Sequence, residues 1–500
     1  MNYDIFKIVI LIAYFSVLAI LAFYGSHRYL MVYLYRKYAG EDPLPLAPFS
    51  DQDLPKVTIQ LPFFNEKYVA VRLIDSICEM DYPNDHLEIQ VLDDSTDNTT
   101  ELAQEAVDRW KKKGIDIVLL HRTDRSGYKA GALHEGLKVS KGEFVAIFDA
   151  DFIPDKSYLR EVIHHFSDEK IGMVQARWGH INRDFSLLTR VQAVMLDGHF
   201  VIEHTARNRS GRFFNFNGTA GVWRRATIDD AGGWEHETLT EDLDLSYRAQ
   251  LKGWKFRFLK DLAVPSELPV EVTAFKSQQH RWAKGSIQVA KKMLSQILKS
   301  DEPFFIKLEA FYHLTANFAY VLMVLLALLM PIAIYIRVNS GWTTFLMIDL
   351  PIFLGATFSI CYFYYKSQRE IGFGFFETVR LIPAVLGIGI GISLNNAKAV
   401  LEAVVGYETP FVRTPKYAIV ETTEEKKSWM KKSYIKKGRI LPLFEFSLGI
   451  WFTLSIVNLL TNSAASYYSL PFLALFQFGF FYVAILSMSQ HLRTFRASST

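Results

Sequence analysis

Long apolar segments at both ends of this 500-residue chain constrain its fold more than any other feature. Residues 5–24 are almost continuously apolar, with Lys7 as the only charge, and about 20 such residues cross a hydrocarbon core as a helix. Four more spans are predicted near 312–336, 342–364, 441–460 and 468–488. We therefore expect an α-helical transmembrane region of about five spans beside one large polar region.

The first span is predicted to be a retained anchor, and a cleaved signal peptide is the alternative. A signal peptide has a basic start and a shorter apolar core. Here the start lacks basic side chains, and positive charges follow the run, at His27, Arg28, Arg36 and Lys37. Because basic residues mark the cytoplasmic side of membrane helices, residues 50–300 are predicted to be cytoplasmic.

A further apolar stretch, 381–394, is short and rich in glycine, so we predict an interfacial helix there. Five crossings then place residues 366–440 and the C-terminus in the cytoplasm, in agreement with the basic segment 426–439. Segment 426–439 can also contact anionic lipid head groups. If residues 381–394 crossed the membrane, the C-terminal tail would lie on the outer side. The predicted units are an anchor (1–40), a soluble domain (50–300), a membrane hairpin (301–366), a cytoplasmic loop (367–440), a second hairpin (441–490) and a cytoplasmic tail (491–500).

The soluble domain has the pattern of an α/β fold. Strand-like runs at 57–61, 89–92 and 144–148 alternate with helical stretches such as 100–113, which predicts a mostly parallel sheet. Acidic pairs follow two of these strands. Ligands of open α/β sheets bind at the carboxyl ends of the strands, so we expect the functional site at that edge.

Net charge and cysteine usage exclude some classes of partner and binding site. Net charge is only +3, and the sequence has no basic arm or zinc-finger spacing, so nucleic acid is not expected as a partner. The two cysteines, Cys78 and Cys361, lie far apart and indicate neither a disulfide framework nor a cysteine metal site. This usage fits a reducing compartment for the soluble domain.

Asp149 and Asp151 follow an apolar run, and two carboxylates at this spacing can face the same side at a strand end. Hard oxygen ligands suit Mg²⁺ or Mn²⁺, which keep several waters and bridge substrate phosphates. Such a metal neutralises the charge that grows on a leaving diphosphate. The alternative is a solvated turn with two acids, but the position of the pair among the other motifs favours a metal site.

A nucleotide pocket is predicted around the same strand ends. Asp93 and Asp94 close the second strand, where carboxylates can accept bonds from a base or ribose, and Asn65 and Glu66 end the first strand. Lys129 precedes a helix with small residues and is a candidate phosphate contact. The alternatives are helix capping after the second strand and an ordinary surface lysine.

Glu241 and Asp242 are the candidate catalytic acids. With Thr240 they open a helical stretch, and a carboxylate within hydrogen-bond reach of an acceptor hydroxyl can act as general base. We assign that role to Asp242. The alternative is a capping box, in which Thr240 caps the helix and the dipole favours acids in its first turn.

An acceptor site is predicted from two segments. In the helical segment 278–282, Trp282 offers a flat apolar face to a pyranose ring and Arg281 can pair with a diphosphate. The alternative there is a buried tryptophan beside a surface arginine. The small-residue loop 216–221 lets the chain approach a sugar closely, and its candidates are Phe216, Asn217, Gly218 and Thr219.

The ordered set Asp-Asp, Asp-x-Asp, Thr-Glu-Asp and Gln-x-x-Arg-Trp resembles the motifs of membrane-embedded family-2 glycosyltransferases, which include cellulose, chitin and hyaluronan synthases. The resemblance is most specific to the cellulose-synthase-like mannan and glucomannan synthases. It covers residues 50–300 densely and the membrane part loosely, and its carriers are the segments 216–224, 239–245, 251–254 and 278–282.

This resemblance implies a GT-A fold, a divalent metal, and inverting transfer by a single displacement that gives β-linkages from an α-linked nucleotide sugar. It also implies Asp151 as the direct metal ligand. The other implied roles are nucleoside contact for Asp93 and Asp94, diphosphate contact for Asp149 and Arg281, proton removal by Asp242 and an acceptor floor at Trp282.

Residues 411–416 resemble the Phe-x-Val-Thr-x-Lys gating loop of cellulose synthases, which closes over the nucleotide. Arg413 replaces the usual valine and Pro415 stiffens the turn. The resemblance therefore does not establish that this loop closes over a nucleotide. The matching positions are Phe411, Arg413, Thr414 and Lys416.

The main hypothesis is a processive synthase that adds mannose or glucose, from GDP-mannose or UDP-glucose, to a β-1,4-linked polysaccharide and passes the chain across the membrane. A non-processive enzyme that glycosylates a lipid, such as a ceramide glucosyltransferase, also carries Gln-x-x-Arg-Trp and is the first alternative. A transporter with an accessory nucleotide-binding domain is the second. It would place ionisable residues inside the spans, and the few candidates, His313 and Asp349, lie near span ends.

Overall fold

The computed structural model describes residues 2–40, 42–340, 351–409, 413–419, 440–462 and 467–497. Its strands are β1 (Val57–Phe63), β2 (Leu87–Asp93), β3 (Ile117–His121), β4 (Phe144–Ile147), β5 (Ile171–His180), β6 (Gly221–Arg224) and β7 (Lys255–Ser266). They form one seven-stranded sheet in the order β3-β2-β1-β4-β6-β5-β7. Only β6 runs antiparallel to its neighbours, so the predicted mostly parallel sheet is confirmed.

The central strands are buried on both faces, which explains their nearly continuous apolar sequence. Their polar side chains pair within the sheet: Thr58 donates to Glu88 at 2.6 Å, and Gln60 donates to Gln90 at 3.1 Å. Because β1, β2 and β4 are parallel neighbours, the segments that follow them lie side by side at one edge of the sheet.

Helices pack against the sheet in two apolar cores. Helix α1 (Asn2–Tyr38) precedes the sheet. The helices that follow are α2 (Ala70–Cys78), α3 (Thr99–Lys111), α4 (Tyr128–Val139), α5 (Tyr158–Ile163), α6 (Leu187–Asp197), α7 (Thr205–Arg209), α8 (Arg225–Asp230), α9 (Glu241–Leu251) and α10 (Val272–Lys299). Short 3₁₀ helices lie at Asn84–His86, His164–Ser167, Arg183–Phe185 and Tyr467–Ser469.

A π-helix, Gly198–His204, joins α6 to α7 and widens one turn of an otherwise continuous helical segment. The wider turn places residues five apart on the same face. His199 and His204 both reach the side chain of Asn217 in this way. The π-helix therefore supports the loop that was predicted to approach a sugar.

The membrane part contains α11 (Phe304–Thr315), α12 (Phe318–Asn339), a π-helix at Leu354–Phe358, α13 (Ser359–Glu370), α14 (Phe375–Gly391), α15 (Ser393–Val405), α16 (Leu441–Asn462) and α17 (Leu470–Ala497). Among the described residues, four helical segments are long and apolar enough to cross a membrane, namely Asp4–Tyr38, Phe318–Asn339, Leu441–Thr461 and Tyr467–Gln490. Helices α14 and α15 meet at a bend of 44° and make a fifth span if they are counted as one.

Two sequence predictions concern the remaining apolar stretches. The span near 342–364 begins within 341–350, which lies outside the described residues, and its second half is helical. The stretch 381–394 runs from α14 into α15, and its interfacial placement stays a prediction.

Helix α10 connects the sheet domain with the membrane helices. Lys276 is buried, and its Nζ lies 2.5 Å from Oε1 of Glu445 on α16. Asn395 on α15 donates to the Lys276 carbonyl at 2.8 Å. These contacts fix the position of α10, and therefore of Arg281 and Trp282, relative to α15 and α16.

Candidate active site

A cavity of about 800 Å³ lies where the sheet domain meets the membrane helices. Asn217, Asp242 and Trp282, which come from three distant motifs, line its sheet end. From there the cavity continues along α1 and α12, where Leu18 and Met330 line it. The structure therefore brings the predicted base and predicted acceptor residues to one space.

Three charged residues that the sequence assigned to the site lie around Gly218. Lys129 donates from Nζ to the Gly218 carbonyl at 2.8 Å and forms an ion pair with Asp149. A Cβ on Gly218 would lie 3.1 Å from Oδ2 of Asp242, so the carboxylate lies close against the backbone. The φ of Gly218 is +82°, in the region that favours glycine. Lys129, Asp149 and Asp242 thus gather around one residue.

Asp242 lies in the first turn of α9. Its Oδ1 accepts a hydrogen bond from the N–H of Leu243 at 2.8 Å, whereas the Thr240 side chain makes no capping hydrogen bond. The structure therefore does not show the capping box. Burial, and then the like charge of Glu241, raise the pKa of Asp242 to about 7, and burial also raises the pKa of Glu241. A carboxyl group whose pKa lies near neutral pH suits general-base catalysis.

Asp151, the predicted metal ligand, is in contact with Lys416. Nζ of Lys416 lies 2.6 Å from Oδ2 of Asp151 and donates to the Glu267 carbonyl at 2.7 Å. The N–H of Tyr417 donates to Oε1 of Glu267 at 2.8 Å. Segment 413–419 therefore covers the carboxyl edge of the sheet at Asp151.

Arg413 and Thr414 add contacts from the same segment. Nε of Arg413 lies 3.0 Å from Oε1 of Glu66, and the guanidinium also donates to the Asn65 carbonyl. Arg281 donates from Nη2 to Oγ1 of Thr414 at 3.0 Å. Arg413, which departs from the gating-loop pattern, therefore pairs with a predicted nucleotide-site residue. Phe411, the first position of that pattern, lies outside the described residues.

The Asp149–Asp151 pair fits a divalent cation that shares its ligands with a diphosphate. The described part of the chain holds no group of three or more His, Cys, Asp or Glu side chains that could bind a metal. One or two carboxylates are the usual protein share for Mg²⁺ when substrate phosphates and water complete the shell. Each carboxylate already forms an ion pair, Asp149 with the ammonium group of Lys129 and Asp151 with that of Lys416.

Asp93 and Asp94 form hydrogen bonds with other side chains of the sheet domain. Asp93 is fully buried and its Oδ2 lies 2.8 Å from Nδ1 of His121. Asp94 accepts two bonds from Arg122, at 2.8 Å and 2.6 Å. Helix α3 begins only at Thr99, so neither acid caps it. Their contact with a nucleoside stays a prediction.

Two tryptophans form an apolar wall of the cavity. The ring centroids of Trp178 and Trp282 are 6.5 Å apart, and both residues line the cavity. Asn217 lines it as well, and its Nδ2 lies 3.0 Å from Nε2 of His199. This arrangement offers both a flat apolar surface and polar groups to a sugar.

Two residues of the 216–221 loop lie behind the cavity, which corrects the prediction that they contact an acceptor. Phe216 is fully buried and packs edge-on against Trp223, with ring centroids 5.6 Å apart. Thr219 is also fully buried, and its Oγ1 accepts a hydrogen bond from the N–H of Asp149 at 2.9 Å. Thr219 therefore positions Asp149, a predicted metal-site residue, and Phe216 belongs to the core.

Sequence reasoning missed four residues of the site: Arg122, Trp178, His199 and Glu267. Trp178 lies near the end of β5 and looks like an ordinary core residue. Arg122 follows β3, and the rule that ligands bind at the carboxyl ends of parallel strands could have found it. The roles of His199 and Glu267 depend on the π-helix and on segment 413–419, so no local pattern marks them.

Comparison with known proteins identifies the domain. Residues 55–285 match the family described as "Glycosyltransferase like family 2". Glucomannan 4-beta-mannosyltransferase 1 of Oryza sativa subsp. japonica is 46% identical over 270 residues, which cover 52% of this chain and 51% of the relative. Glucomannan 4-beta-mannosyltransferase 2 of Arabidopsis thaliana is 47% identical over 260 residues, covering 51% and 49%. The chain spans about half the length of the curated relatives it matches.

A solved structure confirms the fold. The mannosyltransferase PcManGT from Pyrobaculum calidifontis, in complex with GDP-Man and Mn2+, aligns with a TM-score of 0.52 and 20% identity. The alignment covers 78% of this chain and 100% of that one. At this identity the likeness concerns the fold alone, which is the predicted GT-A architecture. Residues 55–285 of this chain therefore form a glycosyltransferase domain of family 2.

Proposed function

We propose that this chain is a metal-dependent, inverting hexosyltransferase that builds a β-1,4-linked polysaccharide from a nucleotide sugar. The observation that carries the proposal is the shared cavity, which Asp242 and Trp282 line and beside which Lys129 and Asp149 meet at Gly218. A single displacement requires a base, a flat surface for the acceptor sugar and positive charge near the diphosphate.

Asp242 acts as the general base. It removes the proton from the acceptor hydroxyl while the acceptor oxygen forms a bond to the anomeric carbon and the bond from that carbon to the diphosphate oxygen breaks. Positive charge on Lys129 and Arg281 stabilises the negative charge of the leaving diphosphate. A divalent cation held by Asp149 and Asp151 would neutralise the same charge. Because attack comes from the face opposite the leaving group, an α-linked donor gives a β-linked product.

Mannose is the hexose that we propose for transfer. The two curated relatives are named glucomannan 4-beta-mannosyltransferases and are 46% and 47% identical to this chain over the matched region. GDP-mannose is accordingly the first donor to test, and UDP-glucose is the second.

The cavity supports passage of the product across the membrane. It continues along α1 and α12 and reaches Arg337 at the end of α12 and Tyr468 at the start of another apolar span. A path between helices that can cross a bilayer would lead a growing chain away from Asp242. The basic flank of α1 supports a cytoplasmic position for the sheet domain, and we propose a plasma or inner membrane as its location.

Glycosylation of a lipid is the second candidate function. Apolar side chains such as Leu18, Leu326 and Phe476 line much of the membrane half of the cavity, where an acyl chain could also lie. A transporter has less support, because His313 bonds the Tyr247 hydroxyl at 2.9 Å beside an apolar cluster. Asp349, the other transporter candidate, lies outside the described residues.

Product analysis tests the proposal. The purified full chain, in lipid nanodiscs with Mg²⁺ or Mn²⁺, is given each donor, and the product is treated with linkage-specific hydrolases. We expect a polymer that a β-1,4-mannanase degrades and nucleoside diphosphate release that a chelator stops. A single sugar on a lipid would support the second candidate. Turnover of neither donor would refute the proposed synthesis of a mannose- or glucose-based polysaccharide.

A further inference from the structure

We propose that the Lys416 ammonium and a divalent metal ion compete for the Asp151 carboxylate, so that Lys416 must leave Asp151 before the metal binds. The inference rests on the proposed function and deepens it, because it names the residue that controls access to the predicted metal site. It concerns the binding of the metal and not the chemical step.

The contact between the two side chains is close and shielded from water. Nζ of Lys416 lies 2.6 Å from Oδ2 of Asp151, and the two side chains are only 10% and 11% exposed. A second bond, from Nζ to the Glu267 carbonyl at 2.7 Å, holds the ammonium in place. Charge-assisted hydrogen bonds of this kind are stronger than neutral ones, so the carboxylate is well occupied.

Two cations cannot share this position at low cost. A metal at Asp151 would lie within a few ångströms of the Lys416 ammonium, and like charges repel more strongly where water is excluded. The metal would also bind the same carboxylate, whose Oδ2 already accepts a hydrogen bond from Lys416. Metal binding therefore favours the release of Lys416, and Lys416 weakens metal binding.

Lys129, on the neighbouring carboxylate, differs in how it is held. It lies in the first turn of α4 and also bonds the Gly218 carbonyl at 2.8 Å, so the fold of the sheet domain fixes it beside Asp149. Lys416 lies in segment 413–419, which forms neither helix nor strand. The segment is tied to the sheet domain by side chains, Arg413 to Glu66 among them. Lys416 can therefore leave without disrupting a helix or a strand.

Manganese binding without nucleotide tests the competition directly. The full-length protein in detergent is titrated with Mn²⁺ while electron paramagnetic resonance reports the free ion. We expect Lys416→Met to bind Mn²⁺ at least about tenfold more tightly than the wild type, because one buried charge-assisted bond no longer competes. The gain should disappear when Asp151→Asn is added to Lys416→Met.

Lys156→Met is the matched control, since it removes the same charge from a lysine that is 67% exposed and pairs with Glu79 on the surface. Lys416→Gln serves as a second variant, and equal thermal unfolding of all variants confirms that each is folded. If Lys416→Met and Lys416→Gln both bind Mn²⁺ like the wild type, while Asp151→Asn binds less, the competition is refuted and the proposed function stands. If Asp151→Asn changes nothing in either background, both the competition and the proposed metal site fail.

Discussion

Arg281 on α10 donates a hydrogen bond from Nη2 to Oγ1 of Thr414 at 3.0 Å. The helix that carries Trp282, the predicted acceptor residue, is thereby joined to the segment that covers Asp151, the predicted metal ligand. Lys284, one turn further along α10, donates to Oγ1 of Thr409 at 2.8 Å, just before that segment. The predicted acceptor side and the predicted donor side of the site are therefore held by the same helix.

Thr414→Val should weaken donor binding. The substitution keeps the shape of the side chain and removes the hydroxyl that Arg281 contacts. A hydrogen bond to a charged group contributes about 1.5–3 kcal/mol, so we expect the KM for the donor to rise by about tenfold or more. Steady-state kinetics at saturating acceptor measure this, and Thr414→Ser should restore most of the affinity. An unchanged donor KM in the valine variant would show that the bond does not contribute.

Asp242→Asn should abolish transfer and leave nucleotide binding intact. The amide has nearly the same shape but cannot take a proton, so we expect a loss of about 10²–10⁴-fold in turnover. Calorimetric titration with the nucleoside diphosphate should give the wild-type affinity. Asp53→Asn, an exposed aspartate that does not line the cavity, is the control. Full activity of Asp242→Asn would remove this residue from its assigned role.

The rate should fall as pH decreases through about 7. Burial, followed by the like charge of Glu241, raises the pKa of Asp242 to about 7, and only the ionised carboxylate accepts a proton. Lys129 and Asp149 also face this group, with opposite effects on its pKa. Glu241→Gln removes the like charge, so the acidic limb of the kcat/KM profile should move to lower pH. A limb that stays in place would mean that another group controls it.

Trp282→Ala should weaken acceptor use more than donor use. Loss of the flat face beside Trp178 removes stacking that contributes about 0.5–1.5 kcal/mol beyond buried area, so we expect the acceptor KM to rise by about fivefold or more. The donor KM and slow hydrolysis of the donor by water should be retained. Trp282→Phe should retain part of the wild-type stacking and so raise the acceptor KM less than Trp282→Ala does. Trp110→Phe, at a distant position bonded to Asp75, should change neither KM.

The sheet and its motif positions could be predicted because they depend on local pattern. The central strands are buried and mostly apolar, and β2 and β4 end close to an acidic motif, at Asp93 and at Asp149. Parallel strands bring such ends to one edge whatever the details of packing. The convergence of Asp149 and Asp242 near Gly218 does not follow from this rule, because Asp242 lies in the first turn of α9 and follows no parallel strand; only the family resemblance implied it.

The errors and omissions have physical reasons. Phe216 and Asn217 are adjacent, and the chain direction there turns the ring into the core and the amide into the cavity, which composition alone does not determine. His199 reaches Asn217 through a π-turn, whereas sequence patterns assume a period of 3.6. The contact of Lys416 with Asp151 joins residues 265 positions apart, and no periodicity encodes it.

The Lys276–Glu445 pair should control the stability of the junction between the sheet domain and the membrane helices. Nζ of Lys276 lies 2.5 Å from Oε1 of Glu445, and both residues are buried. Lys276→Met would leave a buried carboxylate without its cation, which typically costs about 3–5 kcal/mol, whereas replacing both charges is often nearly neutral. We therefore expect Lys276→Met to lower the thermal unfolding temperature in detergent, and Lys276→Met with Glu445→Leu to recover most of the loss. Equal unfolding temperatures for the single and double variants would show that the pair contributes through packing and not through charge.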